Sequence, residues 1–174
     1  MSDNIILEKY DINKSYNGQK KFDCAHEIIN NFVHKSLKKQ IKEQYAVAYV
    51  LLDQDKEDKF IGFYTLSPYA ITKDIFDTPL PASPKQIPVF RLIMLGVDKE
   101  YAGKGYGSRL LQHCLNKVAI LSEEAGAKGL YLDAESGKHQ WYRDRGFVDI
   151  CSADPETDIL PMFITTDTIR DALQ

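Results

Sequence analysis

The sequence predicts an α/β protein with a single domain over residues 1–174, built on one central sheet. Three observations predict it. The chain has 174 residues, the usual size of one domain. Its 44% hydrophobic and 27% charged residues are typical of a globular core with a polar surface. Strand and helix signals follow one another in the order β, α, two antiparallel strands, and then β-α-β-α-β-β, which indicates strands and helices in one sheet.

The first half of the chain contains a strand candidate, one helix and a hairpin. Apolar residues at helical spacing predict a helix over 22–42, after the strand candidate NIILEKY (4–10). Two β-branched and aromatic runs on either side of the charged turn QDKEDK predict a β-hairpin. These runs are YAVAYVLLD (45–53) and KFIGFYTLSP (59–68). YAITKDIF (69–76) is a candidate extension of the sheet, and the proline-rich stretch 77–88 is predicted to be a loop.

The second half predicts a buried strand followed by a long helix and smaller elements. VFRLIMLGV (89–97) is a nearly unbroken apolar run, which predicts a central strand covered on both faces. Apolar residues from Leu110 to Leu121 then predict an amphipathic helix. The remaining predictions are strands at GLYLDA (129–134), FVDI (147–150) and ILPMFITT (159–166), with a short helix at SGKHQWYRDRG (136–146).

Three glycines, Gly103, Gly105 and Gly107, lie between the buried strand and the long helix. Glycine costs a helix about 1 kcal/mol relative to alanine, so three of them in five positions require an explanation. A glycine-rich turn at a helix N-terminus lets backbone N–H groups approach an anion such as a phosphate. The order GKGYG fits neither the Walker loop nor the dinucleotide fingerprint. A plain structural turn is the other interpretation.

The composition excludes several classes of function. The net charge of −3 and the pI of about 5.8 give no overall bias towards nucleic acid, so only a local basic patch would bind it. No apolar run approaches the ~20 residues that span a bilayer, and the first residues show no signal-peptide core. Three cysteines without metal-ligand spacing are expected to be reduced thiols. We therefore expect a cytoplasmic protein with no membrane contact and no metal.

The stretch LGVDKEYAGKGYGSRLLQHCL, with the later WYRDRGF, resembles the GNAT superfamily of N-acetyltransferases. The resemblance implies a mixed, mostly antiparallel, twisted sheet flanked by helices, and acetyl-CoA as cosubstrate. It implies that the pyrophosphate is held by the turn, and that the main chain before the turn pairs with the pantetheine arm like an added strand. The turn residues are Gly103, Lys104, Gly105, Tyr106, Gly107 and Ser108, and the strand residues are Leu95, Gly96 and Val97. Ala102 departs from the family's usual Gln or Arg.

A narrower resemblance is to the GNAT branch of bacterial toxins that acetylate aminoacyl-tRNA. Phe22 and Cys24 before a helix, the strand GFYTLS, and Tyr142 match that branch, whereas Met94 stands where the branch has an arginine. The resemblance implies that Tyr142 is the catalytic residue, and tyrosine is protonated at neutral pH as a general acid must be. It also implies an antitoxin partner and a homodimer. The alternative is that Tyr142 only packs beside Trp141.

The acceptor amine stays open between three hypotheses: aminoacyl-tRNA; a small amine, peptide N-terminus or lysine; and no acceptor at all, if the chain only binds acyl-CoA. Four lysines at i, i+3, i+4 and i+7 are predicted to share one helical face, where they would meet an RNA backbone, another acidic partner or only solvent. They are Lys35, Lys38, Lys39 and Lys42. Asp133 and Glu135 are candidates for deprotonating the amine, although a solvated turn explains them equally well. The aromatic residues of the hairpin are expected mostly in the core, with Phe63 or Tyr64 as candidates for lining the acceptor site. The four histidines are expected to be surface or structural residues.

Overall fold

The computed structural model describes residues 4–76 and 84–173. Within these residues, strands and helices follow one another in the predicted order, except that the first predicted helix is divided into two and a further helix lies at the C-terminal end. The strands are β1 (Ile5–Lys9), β2 (Val47–Asp53), β3 (Lys59–Thr72), β4 (Gln86–Val97), β5 (Gly129–Ala134), β6 (Val148–Asp149) and β7 (Leu160–Thr165). The α-helices are α1 (Glu27–Lys35), α2 (Leu37–Lys42), α3 (Tyr106–Ala125), α4 (His139–Arg143) and α5 (Thr166–Leu173).

The sheet confirms the predicted α/β fold class. Its strand order is β1-β2-β3-β4-β5-β7-β6. The pairs β1–β2, β2–β3, β5–β7 and β6–β7 are antiparallel, whereas β4–β5 is parallel, so the sheet is mixed and mostly antiparallel. The parallel pair is joined by α3, because a crossover between parallel strands needs a long connection.

The prediction of one helix over 22–42 was wrong both in its start and in its continuity. The helix begins only at Glu27, because Ala25 takes a left-handed φ of 63° that ends any earlier helical path. His26 then caps α1 by accepting a hydrogen bond from the N–H of Ile29. Ser36, with φ of −122°, separates α1 from α2.

The break at Ser36 also corrects the predicted lysine stripe. Lys35 is the last residue of α1, whereas Lys38, Lys39 and Lys42 lie on α2. All four side chains are exposed, but they do not share one continuous helical face. The sequence spacing is periodic across Ser36, and it therefore hides the interruption.

Two strand boundaries differ from the predictions. The strand β3 runs on to Thr72, which confirms the candidate extension, and β4 begins at Gln86, inside the predicted loop. The rest of that loop, 77–83, lies outside the described residues. The expectation that the apolar run is covered on both faces was wrong, because Ile93 in β4 is 37% exposed.

The elements after the glycine turn follow the predictions with shorter or shifted ends. The long helix begins at Tyr106, four residues before the first predicted apolar position, and the strand predicted at 147–150 is reduced to Val148–Asp149. The C-terminal helix α5 was not predicted. Thr165 marks its start, since its hydroxyl accepts a hydrogen bond from the N–H of Thr168, which is the signal that Thr at a helix N-cap provides.

The described residues form two compact units. The first contains the chain up to Ser67 together with Met94–Cys114. Its core is aromatic: the ring of Phe22 lies edge-on to Phe60 at 5.3 Å and to Phe63 at 5.8 Å. Such ring pairs stabilise a core by about 0.5–1.5 kcal/mol each beyond their buried area.

The second unit contains Pro68–Ile93 together with the chain from Leu115. Buried side chains from β3, β4, β5 and β7, with Ile150 after β6, form its core, and these are Ile71, Ile87, Val89, Tyr131, Ile150 and Phe163. None of the helices within 4–76 and 84–173 has the length and apolar character that crossing a bilayer requires.

Candidate active site

The glycine turn connects β4 to α3, which confirms the predicted strand–turn–helix context. Gly103 and Gly105 have φ of 75° and 84°, the left-handed region that disfavours side chains. A Cβ built on either glycine would meet no protein atom within 4 Å. Packing inside the protein therefore does not explain the missing side chains, whereas the left-handed backbone does, and the open space beside it leaves room for a ligand.

The start of α3 gives this turn its electrostatic character. The N–H of Arg109 donates to the carbonyl of Gly105, which closes the first turn of a 20-residue helix. The N–H groups at the start of a helix point away from its body, and the helix dipole adds about half a positive charge there. The space beside Gly103 and Gly105 is thus suited to an anion such as a pyrophosphate.

The side chains of the turn differ in their exposure to solvent. Ala102, Gly103, Lys104 and Gly105 are exposed, whereas the ring of Tyr106 is buried at 6% exposure. The ring of Tyr106 therefore packs inside the protein, and only its main chain is left to face a ligand at the turn. The ammonium of Lys104 lies 5.7 Å from the centre of the Tyr101 ring.

A network of hydrogen bonds holds the chain just before the turn. The buried carboxylate of Asp98 accepts from the N–H groups of Glu100 and Asp23, at 3.0 and 3.2 Å. Asp23 in turn forms an ion pair with Lys99 at 2.9 Å. The sequence analysis missed this network, because Asp23 and Asp98 are 75 positions apart and no local pattern joins them.

The last residues of β4 are the ones expected to pair with the pantetheine arm. The ladder between β4 and β5 pairs Phe90 with Leu130 and Arg91 with Tyr131. Leu95, Gly96 and Val97 lie beyond that ladder, at the end of the strand.

Gly96 has a packing role as well. A Cβ on Gly96 would lie 3.2 Å from Ile29 Cγ2, 3.4 Å from Cys24 Sγ and 3.5 Å from Phe22 Cζ. Glycine at this position therefore allows the segment that precedes α1 to pack closely against β4. This contact explains why Phe22 and Cys24 occur together with Gly96 in the sequence.

Tyr142 lies on α4, between two aromatic rings. Its ring is perpendicular to Trp141 at 4.9 Å and to the buried Phe147 at 5.5 Å. The guanidinium of Arg145 stacks 3.8 Å from the centre of the Trp141 ring and donates to the Trp141 carbonyl. Tyr142 is half-buried, so its side chain packs against neighbouring rings and is also partly accessible to solvent.

The predicted site residues belong to both units. The nine residues expected to bind acetyl-CoA lie within 95–108 of the first unit, whereas Tyr142 belongs to the second. The catalytic role of Tyr142 stays a prediction.

Asp133 is committed to other groups, which weakens its candidacy as a base. Its two carboxylate oxygens accept from the Tyr131 hydroxyl at 2.7 Å and from Arg91 at 3.0 Å. Each oxygen of the carboxylate is thus already occupied by a donor from a neighbouring strand position. Burial, followed by the hydrogen bond to Asp133, raises the pKa of Tyr131. Glu135 lies in the turn after β5, where its carbonyl accepts from the N–H of Lys138.

Phe63 and Tyr64 are both fully buried, which confirms the expectation that the aromatic residues here form core and excludes the alternative that one of them lines the acceptor site. Phe63 belongs to the aromatic core of the first unit. The hydroxyl of Tyr64 lies 2.8 Å from Nδ1 of His113, and burial raises the pKa of Tyr64. His113 is therefore a structural histidine, as expected. Across the described ranges there is no group of three metal-ligating side chains.

Comparisons with known proteins agree with this geometry. The model of the acetyltransferase (GNAT) domain family matches residues 44–149, more than half of the chain. The chain is 28% identical over 177 residues to the probable toxin TacT of Sinorhizobium fredii, with 95% of this chain and 93% of that protein covered. The crystal structure of a bacterial toxin is similar with a TM-score of 0.92 and 31% identity, covering 99% of this chain and 96% of that one.

The toxin AtaT is similar along its whole length. Its complex with acetyl-methionyl-tRNAfMet has a TM-score of 0.83 and 26% identity, covering 98% of this chain and 99% of AtaT. A tyrosine-to-phenylalanine mutant of AtaT, bound to acetyl-CoA and to the C-terminus of the antitoxin AtaR, has a TM-score of 0.81 and 26% identity. The chain therefore belongs to the GNAT acetyltransferases, enzymes that take their acetyl group from acetyl-CoA, and it resembles the toxin branch of that family.

Proposed function

We propose that this enzyme transfers the acetyl group of acetyl-CoA to the amino group of an aminoacyl-tRNA, which would stop translation. The observation that carries this proposal is the likeness to AtaT, which was solved with acetyl-methionyl-tRNAfMet and covers 98% of this chain. The similarity to the probable toxin TacT over 95% of the chain supports the same class of activity.

Acetyl-CoA supplies the acetyl group as an activated thioester. Gly103 to Ser108 would hold its pyrophosphate, and the space beside Gly103 and Gly105 fits that role because a Cβ there would project into it. The main chain of Leu95–Val97 would hold the pantetheine arm. Lys104 lies at the centre of the turn and would add a positive charge near the phosphates.

The exposed lysines support a nucleic-acid acceptor. Lys38, Lys39 and Lys42 lie on α2 within five residues, with Lys35 at the end of α1. A protein with a net charge of −3 has no general attraction for RNA, so phosphate binding depends on such a local basic surface. We assign these four lysines, defined as the basic surface, to the backbone of the tRNA.

Tyr142 is the proposed general acid. The amine nitrogen forms a bond to the acetyl carbon while the carbon–sulfur bond breaks, and the departing sulfur takes up the Tyr142 proton. The amine nitrogen loses a proton as the amide forms, and that proton returns to the Tyr142 oxygen, so the products are the amide and free coenzyme A and the tyrosine is restored. An ordinary tyrosine has a pKa near 10 and an ordinary thiol a pKa near 8.5, so transfer of the proton from tyrosine to the thiolate is uphill by about 2 kcal/mol. Loss of the amine proton offsets this free energy.

The relatives suggest partners and a location as well. AtaT was solved with part of its antitoxin, and we propose that a cognate antitoxin likewise binds this chain. We also propose that the protein is a homodimer and that residues 1–174 form a single acetyltransferase domain. We propose the cytoplasm as its location, because charged tRNA is a cytoplasmic substrate.

A panel of acceptors tests the proposed function. Purified protein with labelled acetyl-CoA is given charged tRNAs, uncharged tRNA, free amino acids, polyamines and lysine peptides. We expect label on the amino group of charged tRNA alone. Uncharged tRNA lacks that amino group, and the small amines and peptides lack the RNA backbone that the basic surface is proposed to bind. Labelling of a small amine or a peptide instead would make this chain a different acetyltransferase. Coenzyme binding without labelling of any acceptor would leave a binding module.

A further inference from the structure

The helix that carries Tyr142 is too short to fix its own position. It has five residues, His139–Arg143, whereas isolated helices below ~12–15 residues are marginal in water. Contacts with the rest of the second unit must therefore hold the Tyr142 ring in place.

Two polar contacts anchor the two ends of α4. At its start, Nε2 of His139 lies 2.8 Å from the carbonyl of Asp158. At its end, the guanidinium of Arg143 binds the carboxylate of Asp149 at two points, from Nε to Oδ1 at 2.9 Å and from Nη2 to Oδ2 at 2.8 Å. A two-point contact between two planar groups fixes orientation as well as distance.

Asp149 is itself held firmly by the sheet. It pairs with Met162 in the antiparallel ladder between β6 and β7, and the next N–H along the chain, that of Ile150, donates to Pro161. β6 consists of only two residues, Val148 and Asp149. Both of these residues are paired with β7, Val148 with Phe163 and Asp149 with Met162.

We propose that Arg143 and Asp149 are positioning residues for Tyr142, a pair that locks α4 onto the sheet so that the Tyr142 hydroxyl meets the departing sulfur. This inference rests on the proposed acid role of Tyr142. Arg143 directly follows Tyr142, and the Tyr142 carbonyl accepts from the N–H groups of Arg145 and Phe147 at 3.0 and 3.2 Å. A rotation of Arg143 would therefore also turn Tyr142.

Stability alone does not explain the pair. The side chains of Arg143 and Asp149 are 39% and 41% exposed, and exposed ion pairs contribute little to folding. Loss of the pair should thus change the position of Tyr142 more than the stability of the protein. Small displacements of a catalytic group lower rates strongly, up to about 100-fold for 1 Å.

A double-mutant cycle with Tyr142 tests this role. Asp149→Ala should lower kcat roughly 10-fold, leave acetyl-CoA affinity by calorimetry unchanged, and speed hydrogen exchange of the α4 amides. In a Tyr142→Phe background the same change should cost nothing further, since the group it positions is already gone. The charge-swapped variant Arg143→Asp with Asp149→Arg should recover part of the rate. Glu123→Ala, which removes the surface pair with Arg170, is the matched control and should change neither quantity.

The outcomes separate this inference from the proposed function. Losses that add in the double mutant would show that the pair does not act through Tyr142 and would overturn the positioning role alone. An unchanged kcat for Tyr142→Phe would overturn the acid role and the positioning role together. Unchanged hydrogen exchange of the α4 amides in Asp149→Ala would contradict the positioning role. If Asp149→Ala fails to fold, Arg143→Lys serves in the same cycle, because lysine keeps the charge and loses the two-point contact.

Discussion

The hydroxyl of Tyr101 donates a 2.6 Å hydrogen bond to the carboxylate of Asp53, and both side chains are buried. Asp53 ends β2, and Tyr101 ends the short turn that precedes Ala102. The exposed glycine turn is therefore fastened to the core of the first unit at its base. Burial, followed by the bond to Asp53, raises the pKa of Tyr101, so this hydroxyl is protonated and donates at neutral pH.

Removing the Tyr101 hydroxyl should be costly. Tyr101→Phe leaves a buried carboxylate with one donor fewer, and hydrogen bonds to charged groups contribute about 1.5–3 kcal/mol. We expect the free energy of unfolding in urea to fall by an amount in that range. Tyr10→Phe, which removes a neutral bond to Gln19, is the control and should cost less. Equal losses in the two variants would contradict the importance of the charged acceptor.

Gly105→Val tests the coenzyme turn. Valine at φ of 84° is strained and directs its side chain into the space assigned to the pyrophosphate. Gly126→Val is a matched control, because Gly126 has φ of 71° and also no protein atom within 4 Å of a built Cβ, but lies after α3. Both variants should lose comparable stability, and calorimetry should find acetyl-CoA binding weakened only in Gly105→Val. Equal coenzyme affinity in both variants would exclude the turn from coenzyme binding.

The fold and the turn were predictable because their signals are local. Alternating apolar residues specify strands over a few positions, and GKGYG between a strand and a helix specifies the turn. The break at Ser36 was not predictable, since the apolar period continues across it. The helix ends there so that Leu37, fully buried, reaches the core. The break at Ser36 therefore reflects tertiary packing, which the local apolar period does not reveal.

The candidate site divides in the same way. The catalytic role of Tyr142 is a prediction that rests on the family resemblance of WYRDRGF alone, because a catalytic tyrosine has no periodicity of its own. Contacts between distant positions escaped the sequence, among them Asp23 with Lys99 and Tyr101 with Asp53. The burial of Phe63 and Tyr64 agrees with the expectation of core, but the sequence left a ligand-lining role open, since an aromatic residue in a strand faces the core or a ligand with similar sequence cues.

The basic surface predicts a salt-dependent acceptor interaction. Reversing Lys38, Lys39 and Lys42 to glutamate should raise the KM for charged tRNA and flatten its dependence on salt, because fewer counterions are released on binding. Lys35→Glu is measured separately, as this residue lies on α1. Reversal of Lys9, Lys73 and Lys85, exposed lysines elsewhere, controls for net charge. The same KM in both triple variants would remove α2 from tRNA binding.

Protonation of Asp23 at low pH should break its ion pair with Lys99. The ion pair with Lys99, with the N–H of Ala25 and the amide of Asn30, lowers the pKa of Asp23 to about 2, against about 3.9 in an unfolded chain. A lowered pKa in the folded state stabilises the protein above the unfolded value, and that stability disappears as pH falls towards 2. We therefore expect Asp23→Asn to unfold more easily than wild type at pH 6, with the difference closing between pH 4 and pH 2. A constant difference across this range, measured by urea unfolding, would show that the Asp23 charge is not responsible.

Tyr142→Phe separates chemistry from binding at a single atom. The phenylalanine ring keeps both perpendicular contacts, with Trp141 at 4.9 Å and with Phe147 at 5.5 Å, so the fold of α4 should survive. If the hydroxyl protonates the departing sulfur, kcat should fall by roughly 10²–10⁴, the usual contribution of a general acid. Acetyl-CoA affinity should not change, because the residues assigned to the coenzyme belong to the first unit and Tyr142 to the second. Single-turnover transfer to charged tRNA at saturating acetyl-CoA isolates this step from product release. A variant that keeps more than about a tenth of the wild-type rate would transfer the acid role to water or to another residue, and a parallel loss of coenzyme affinity would indicate a binding role instead.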